Sequence, residues 1–180
     1  MTLNLLELEL LQRMHAALQC MLLDKLAVWI SFPGNGGLGF ILLAILLLFF
    51  KKTRLLGAVM ATALALDGLL VNVCLKPLID RARPYELGVA LNLITAHPND
   101  PSFPSGHTAA AFAAAVALRP GPKKAYRGML IYAVLMGLSR LYLLMHYPTD
   151  VLAGAVCGVL CGLLAVKIWK PLLKQKGAER

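Results

Sequence analysis

The sequence predicts an all-α polytopic membrane protein, a bundle of about five transmembrane helices with an amphipathic N-terminal segment at the membrane interface. Three observations carry that reading. The chain is 59% hydrophobic and only 15% charged, with a mean hydropathy of +0.71, too apolar for an ordinary soluble domain. Several apolar runs reach or approach the roughly 20 residues that a helix needs to cross a bilayer. Clusters of Lys, Arg, Pro and Gly close those runs. The 180 residues fit a single membrane-embedded domain, 1–180.

The net charge of +9 comes without a basic stripe interleaved with aromatics. It reads as topology and lipid-surface attraction, and no nucleic-acid partner is expected. Cys20, Cys74, Cys157 and Cys161 form no CxxC and no Cys/His cluster. Cys157 and Cys161 share a helix face as small packing residues, and no structural disulfide is implied. Glu7 and Glu9 stand where a signal peptide would be basic, so none is expected.

Residues 2–30 read as amphipathic helix in two pieces. Leu3, Leu5, Leu6, Leu8, Leu10 and Leu11 make the first apolar, while Glu7, Glu9, Gln12, Arg13 and His15 interrupt it. Asp24 and Lys25 interrupt the second, which favours an interfacial placement over a short span at 16–31. Phe32 to Gly37 is a turn cluster. Leu38 to Phe50 is the first span, closed by Lys51, Lys52 and Arg54. Leu55 to Leu75 is the second, broken by Asp67 and Asn72. Residues 77–103 form a long polar connection, in which Leu87 to Ile94 is expected on the membrane surface; a connection of that length is usually functional or disordered. Pro104 to Leu118 is the third span, with Pro104 suited to its first turn. Gly128 to Leu144 is the fourth. Val151 to Trp169 is the fifth, with Gly154, Gly158 and Gly162 spaced for close packing.

The ends at 51–54, 119–127 and 167–180 fall on one side and hold 12 of the 18 Lys and Arg but only one acid, Glu179. The positive-inside rule makes that side cytoplasmic. Lys76, Ser105, His107, Arg140, His146 and Asp150 then lie near the extracytoplasmic face.

Three segments meet there. Lys76 leads to Arg83-Pro84; Pro104-Ser105-Gly106-His107 opens a helix; Ser139-Arg140 is followed by His146 and Asp150. Guanidinium groups match the paired oxygens of a phosphate, Lys76 adds a point charge, and a helix N-terminus offers free N–H groups. His146 and Asp150 stand one helical turn apart if a helix begins near Pro148, so a carboxylate there can hold one imidazole nitrogen and leave the other to attack. His107 is placed to protonate a leaving oxygen.

With those residues in view, the sequence resembles the type 2 phosphatidic acid phosphatase superfamily, which includes vanadium haloperoxidases. The signature is Lys, six residues, Arg-Pro; Pro-Ser-Gly-His; and Ser-Arg, five residues, His, three residues, Asp, and all three blocks match within residues 76–150. The resemblance implies a lipid phosphatase with His146 as nucleophile through a phosphohistidine and His107 as general acid. It implies that Lys76, Arg83, Ser105, Gly106 and Arg140 bind phosphate, and that neither metal nor cofactor is required. It also implies a lipid phosphate substrate in a cell (inner) membrane. Undecaprenyl pyrophosphate is the favoured substrate, with phosphatidylglycerophosphate, phosphatidic acid and lipid A phosphates as alternatives. A transporter or binding protein with a degenerate site is a further alternative, opposed by intact His107, His146 and Asp150. A haloperoxidase is opposed by the small size.

Lys51, Lys52, Lys123 and Lys170 read as snorkelling residues, and His15 and His97 take no assignment. Asp80 and Arg81 are expected to pair with each other, or Arg81 to make an extra phosphate or headgroup contact. Asp67, mid-span, is given a structural role.

Overall fold

The structure, a computed structural model, describes residues 3–87 and 98–178. The surface segment expected at 87–94 lies outside them apart from Leu87, as does His97. Among the described residues all regular structure is helical: α1 (Leu3–Leu18), α2 (Met21–Ser31), α3 (Leu38–Phe49), α4 (Arg54–Asp67), α5 (Lys76–Ile79), α6 (Gly106–Ala117), α7 (Lys123–Tyr142) and α8 (Pro148–Ala178).

The N-terminal pieces separate at Gln19 and Cys20, but they behave differently. The first, α1, buries Glu7, Leu8 and Leu11. Through a 3-10 turn at Phe32–Gly37, α2 joins α3 in a helical run, Met21–Phe49, long and apolar enough to cross a membrane. Gly36 and Gly37 adopt φ of +58° and +69°. Only glycine does so without steric cost, so the chain kinks there and helix resumes at once.

A second long run, Arg54–Glu86, contains α4, a π-helical stretch Gly68–Leu75, and α5. π segments re-aim side chains and recur at functional sites; this one delivers Asn72 and Lys76 to a cavity. A third long run is Pro148–Gln175 in α8. α6, at 12 residues, is shorter, and the 20-residue α7 begins with Lys123 and Lys124. Among the described residues, three runs are thus long and apolar enough to span.

α6 is the axis of the bundle. Ala109, Ala111, Ala113, Ala114, Ala115 and Ala117 are fully buried. Small residues let backbones approach, and α8 answers with its own: a Cβ on Gly154 would sit 2.5 Å from the Ser105 carbonyl oxygen, and one on Gly162 would sit 2.6 Å from Val116 Cβ. The first contact seats the loop before α6 on the first turns of α8. Phe40, Val59, Met60 and Met136 complete the core. Leu152, Val156 and Leu160 of α8 expose more than half their surface, as suits contact with lipid. α6 begins at Gly106 with Ser105 as N-cap, so Pro104 stands outside the first turn, after a cis Phe103–Pro104 bond.

Candidate active site

The start of α8 is built by local chemistry. Pro148 opens the helix, where its missing N–H leaves nothing unpaired. Asp150 reaches back so that its Oδ2 accepts the Tyr147 N–H at 2.9 Å, half of a capping box. The same oxygen accepts the Ser102 hydroxyl at 2.5 Å, and Oδ1 accepts Arg81 Nη1 at 2.5 Å. Asp150 is fully buried, with both oxygens engaged.

Those bonds alter the expected link from Asp150 to His146. Asp150 Oδ2 stands 3.7 Å from His146 Nδ1, too far for a hydrogen bond. Nδ1 instead donates to the Ser102 carbonyl at 2.8 Å. A carbonyl can only accept, so the proton is on Nδ1 and Nε2 carries the lone pair. Nε2 stands 3.4 Å from Arg83 Nη1. Ser102, bonded to both Asp150 and His146, orients the imidazole. Burial pushes the His146 imidazole down to about 4, with Arg83 and Arg140 adding to the effect and Asp150 opposing it.

A cavity of about 540 Å³ is lined by Lys76, Arg83, Arg140, Gly106, His107 and His146 among others. It brings together six of the eight site residues singled out above. Asp150 stays behind His146, as an orienting group would. Ser105 stays behind the lining: its N–H goes to the Asp150 carbonyl at 3.0 Å and its hydroxyl pairs with Thr108 at 3.0 Å. Ser139 donates to Met136 within its own helix. The α6 N-terminus faces the cavity at Gly106 and His107, and its first N–H groups have no intrahelical acceptor.

The three cations are buried. Lys76 and Arg83 both ion-pair with Asp100, and Arg83 Nε also takes the Asp100 carbonyl at 2.8 Å. Burial would raise the Asp100 carboxyl, but its bond to Lys76 and the nearby Arg83 hold it below the usual carboxylate range. Arg140 is different. Its Nη1 meets only a hydroxyl, Ser31 Oγ at 2.5 Å, and its Nε has no hydrogen-bond partner. His107 Nε2 pairs with Asn35 Oδ1 at 3.0 Å.

Sequence reasoning did not single out Asp100, Ser102, Ser31 or Asn35. Ser102 lies inside Pro101 to His107, and an acid directly before that stretch was a further signal. Ser31 and Asn35 left no signal, because their partners are far along the chain. Arg81 does not pair with Asp80 or face the cavity; it joins Glu7 and Asp150. Asp67 is buried, lines the cavity, and leaves Oδ1 without a partner.

The PAP2 superfamily model matches residues 54–173, which contain every predicted site residue. The chain belongs to the PAP2 superfamily. Relatives of the chain carry the names of lipid phosphatases and diphosphatases. The chain is 35% identical over 124 residues to an undecaprenyl-diphosphatase of Sulfolobus acidocaldarius, covering 68% of this chain and 60% of that protein. It is 32% identical over 143 residues to the undecaprenyl-diphosphatase BcrC of Bacillus subtilis, covering 79% of this chain and 72% of that one. The fold matches the crystal structure of Aquifex aeolicus LpxE with a TM-score of 0.78 and 33% identity, over 93% of this chain and 96% of that one. A PAP2 membrane architecture therefore carries the cavity described above.

Proposed function

We propose that the protein is a membrane lipid phosphatase that hydrolyses a lipid phosphomonoester or pyrophosphate through a phosphohistidine at His146. The observation that carries this reading is Arg140. Burying a guanidinium without a counter-ion costs several kcal/mol. Among the described residues Arg140 has no ion-pair partner, yet it faces the same cavity as Lys76, Arg83 and both histidines. A phosphoryl group supplies the missing anion.

His146 Nε2 forms the P–N bond as the P–O bond to the leaving group breaks, and His107 gives that oxygen its proton. Water then attacks phosphorus, the P–N bond breaks, His107 recovers a proton from the water, and phosphate departs. Lys76, Arg83, Arg140 and the Gly106 N–H hold the equatorial oxygens and stabilise their growing charge. Ser105 joins them if its hydroxyl turns from Thr108.

Residues 1–180 act as one membrane-embedded domain of five spans, α6 and α7 joining the three long runs. The site faces the extracytoplasmic side of the cell membrane, as the basic ends of the opposite side support. Undecaprenyl pyrophosphate is the proposed substrate, supported by the relatives named for it.

The test is phosphate release by purified protein from a panel comprising undecaprenyl pyrophosphate, phosphatidylglycerophosphate, phosphatidic acid and lipid A, with and without EDTA. The expected result is release from the pyrophosphate, undiminished by EDTA, and none by His146→Ala. Release from another lipid alone reassigns the substrate. Turnover by a folded His146→Ala protein overturns the nucleophile.

A further inference from the structure

Arg81 lies between Lys76 and Arg83 in sequence but turns away from the cavity into a buried network. Its Nη1 donates to Asp150 Oδ1 at 2.5 Å and to Thr149 Oγ1 at 2.7 Å. Its Nη2 donates to Glu7 Oε2 at 2.6 Å and to Asn4 Oδ1 at 2.7 Å, both on α1. The guanidinium carbon stands 4.0 Å over the Tyr147 ring. Glu7 also caps α8 from 142 residues away: its Oε1 accepts the Thr149 N–H at 2.8 Å. Leu8 and Leu11 pack α1 onto Leu144 and Tyr147. A chain of buried contacts thus runs Glu7, Arg81, Asp150, Ser102, His146.

The charges matter more than the packing. Asp150 and Glu7 share one guanidinium. Alone with Asp150, Arg81 would neutralise the carboxylate that stabilises a charged imidazole on His146. Glu7 draws part of the guanidinium away and restores negative potential there. We propose that Glu7 and Arg81 are positioning residues that set the effective charge of Asp150, making the motif-free helix α1 part of the catalytic apparatus. This rests on His146 being the nucleophile. The other charges around His146 come from separate elements and stay constant in the test: Arg83 and Asp100 in the loops, Arg140 on α7, Lys76 on α5 and His107 on α6.

The experiment is kcat and KM against pH for Glu7→Gln, Arg81→Gln and the double variant, in detergent, on whichever lipid phosphate the wild type hydrolyses. Gln keeps the shape of Glu7 and removes its charge, and its NH2 takes the place of one of two accepting oxygens, Oε1 bonded by the Thr149 N–H and Oε2 by Arg81 Nη2 and Thr149 Oγ1. Glu7→Gln is expected to lower kcat about tenfold, with KM within about twofold, and to move the acid limb of kcat/KM to lower pH. Arg81→Gln moves that limb to higher pH, and the double variant returns it toward wild type. Limbs that stay put, or that both move the same way, overturn the proposal. If Arg81→Gln does not fold, Glu7→Gln alone decides: a loss of kcat without a shifted limb means α1 only packs. His146→Ala, run in parallel, separates this from failure of the nucleophile assignment, since its turnover would sink that assignment whatever the other variants do.

Discussion

His146 enters the folded protein as a neutral base, with Nδ1–H held by the Ser102 carbonyl and Nε2 toward the cavity. Burial pushes its imidazole down to about 4, from an ordinary value near 6.5. Between those values the unfolded chain binds a proton that the folded chain does not, so stability falls as pH drops through that window. Chemical denaturation of wild type in micelles at pH 7 and at pH 4.5 should show this loss, and His146→Phe should remove much of it. An unchanged slope in that variant would show that other groups carry the acid sensitivity. Asp100 makes a second residue-scale case. Its carboxylate pairs with Lys76 and Arg83, the donors proposed for phosphate. Asp100→Asn should therefore tighten vanadate inhibition several-fold, read as a lower inhibition constant. Weaker inhibition would mean that Asp100 instead holds the two cations in their binding geometry.

At the scale of elements, the 3-10 turn between α2 and α3 sets the position of the second histidine. A Cβ on Gly34 would come 2.5 Å from His107 Cδ2, so this position has no room for one. Asn35, the next residue, bonds His107 Nε2. Gly34→Ala should displace the imidazole and lower kcat about tenfold or more while leaving KM nearly unchanged, because the cations proposed to bind phosphate lie on other elements. Steady-state kinetics on the preferred lipid checks this, and an unaltered kcat would remove His107 from the protonation step. The short α6 is likewise set by its neighbours. Its alanines and the α8 glycines bring two backbones together, which lodges the Ser105 loop against α8 and holds the second and third motif blocks in contact.

At the scale of the whole molecule, three runs among the described residues are of spanning length, and α6 and α7 complete the proposed five. In a background free of native cysteines, Asn99→Cys should react with an impermeant maleimide added outside the cell, and Pro122→Cys should not. The reverse pattern would place the cavity on the cytoplasmic side and exclude a substrate presented from outside. Composition, charge placement and the three motif blocks were enough to read a membrane helix bundle, the family and the convergence of Lys76, Arg83, Gly106, His107, Arg140 and His146. These signals are local: apolar runs register burial or lipid contact, and spacing on a helix registers a shared face. The remainder depended on contacts between residues far apart in sequence. The turn expected at Phe32 to Gly37 is present, with Gly36 and Gly37 at positive φ, but that it seats Gly34 and Asn35 against His107 came only with the fold. Ser102 came between His146 and Asp150, Asp100 settled on Lys76 and Arg83, and Glu7 reached Thr149 and Arg81. No sequence spacing encodes such pairings, because each is chosen by which buried polar group is left needing a partner once the helices have packed.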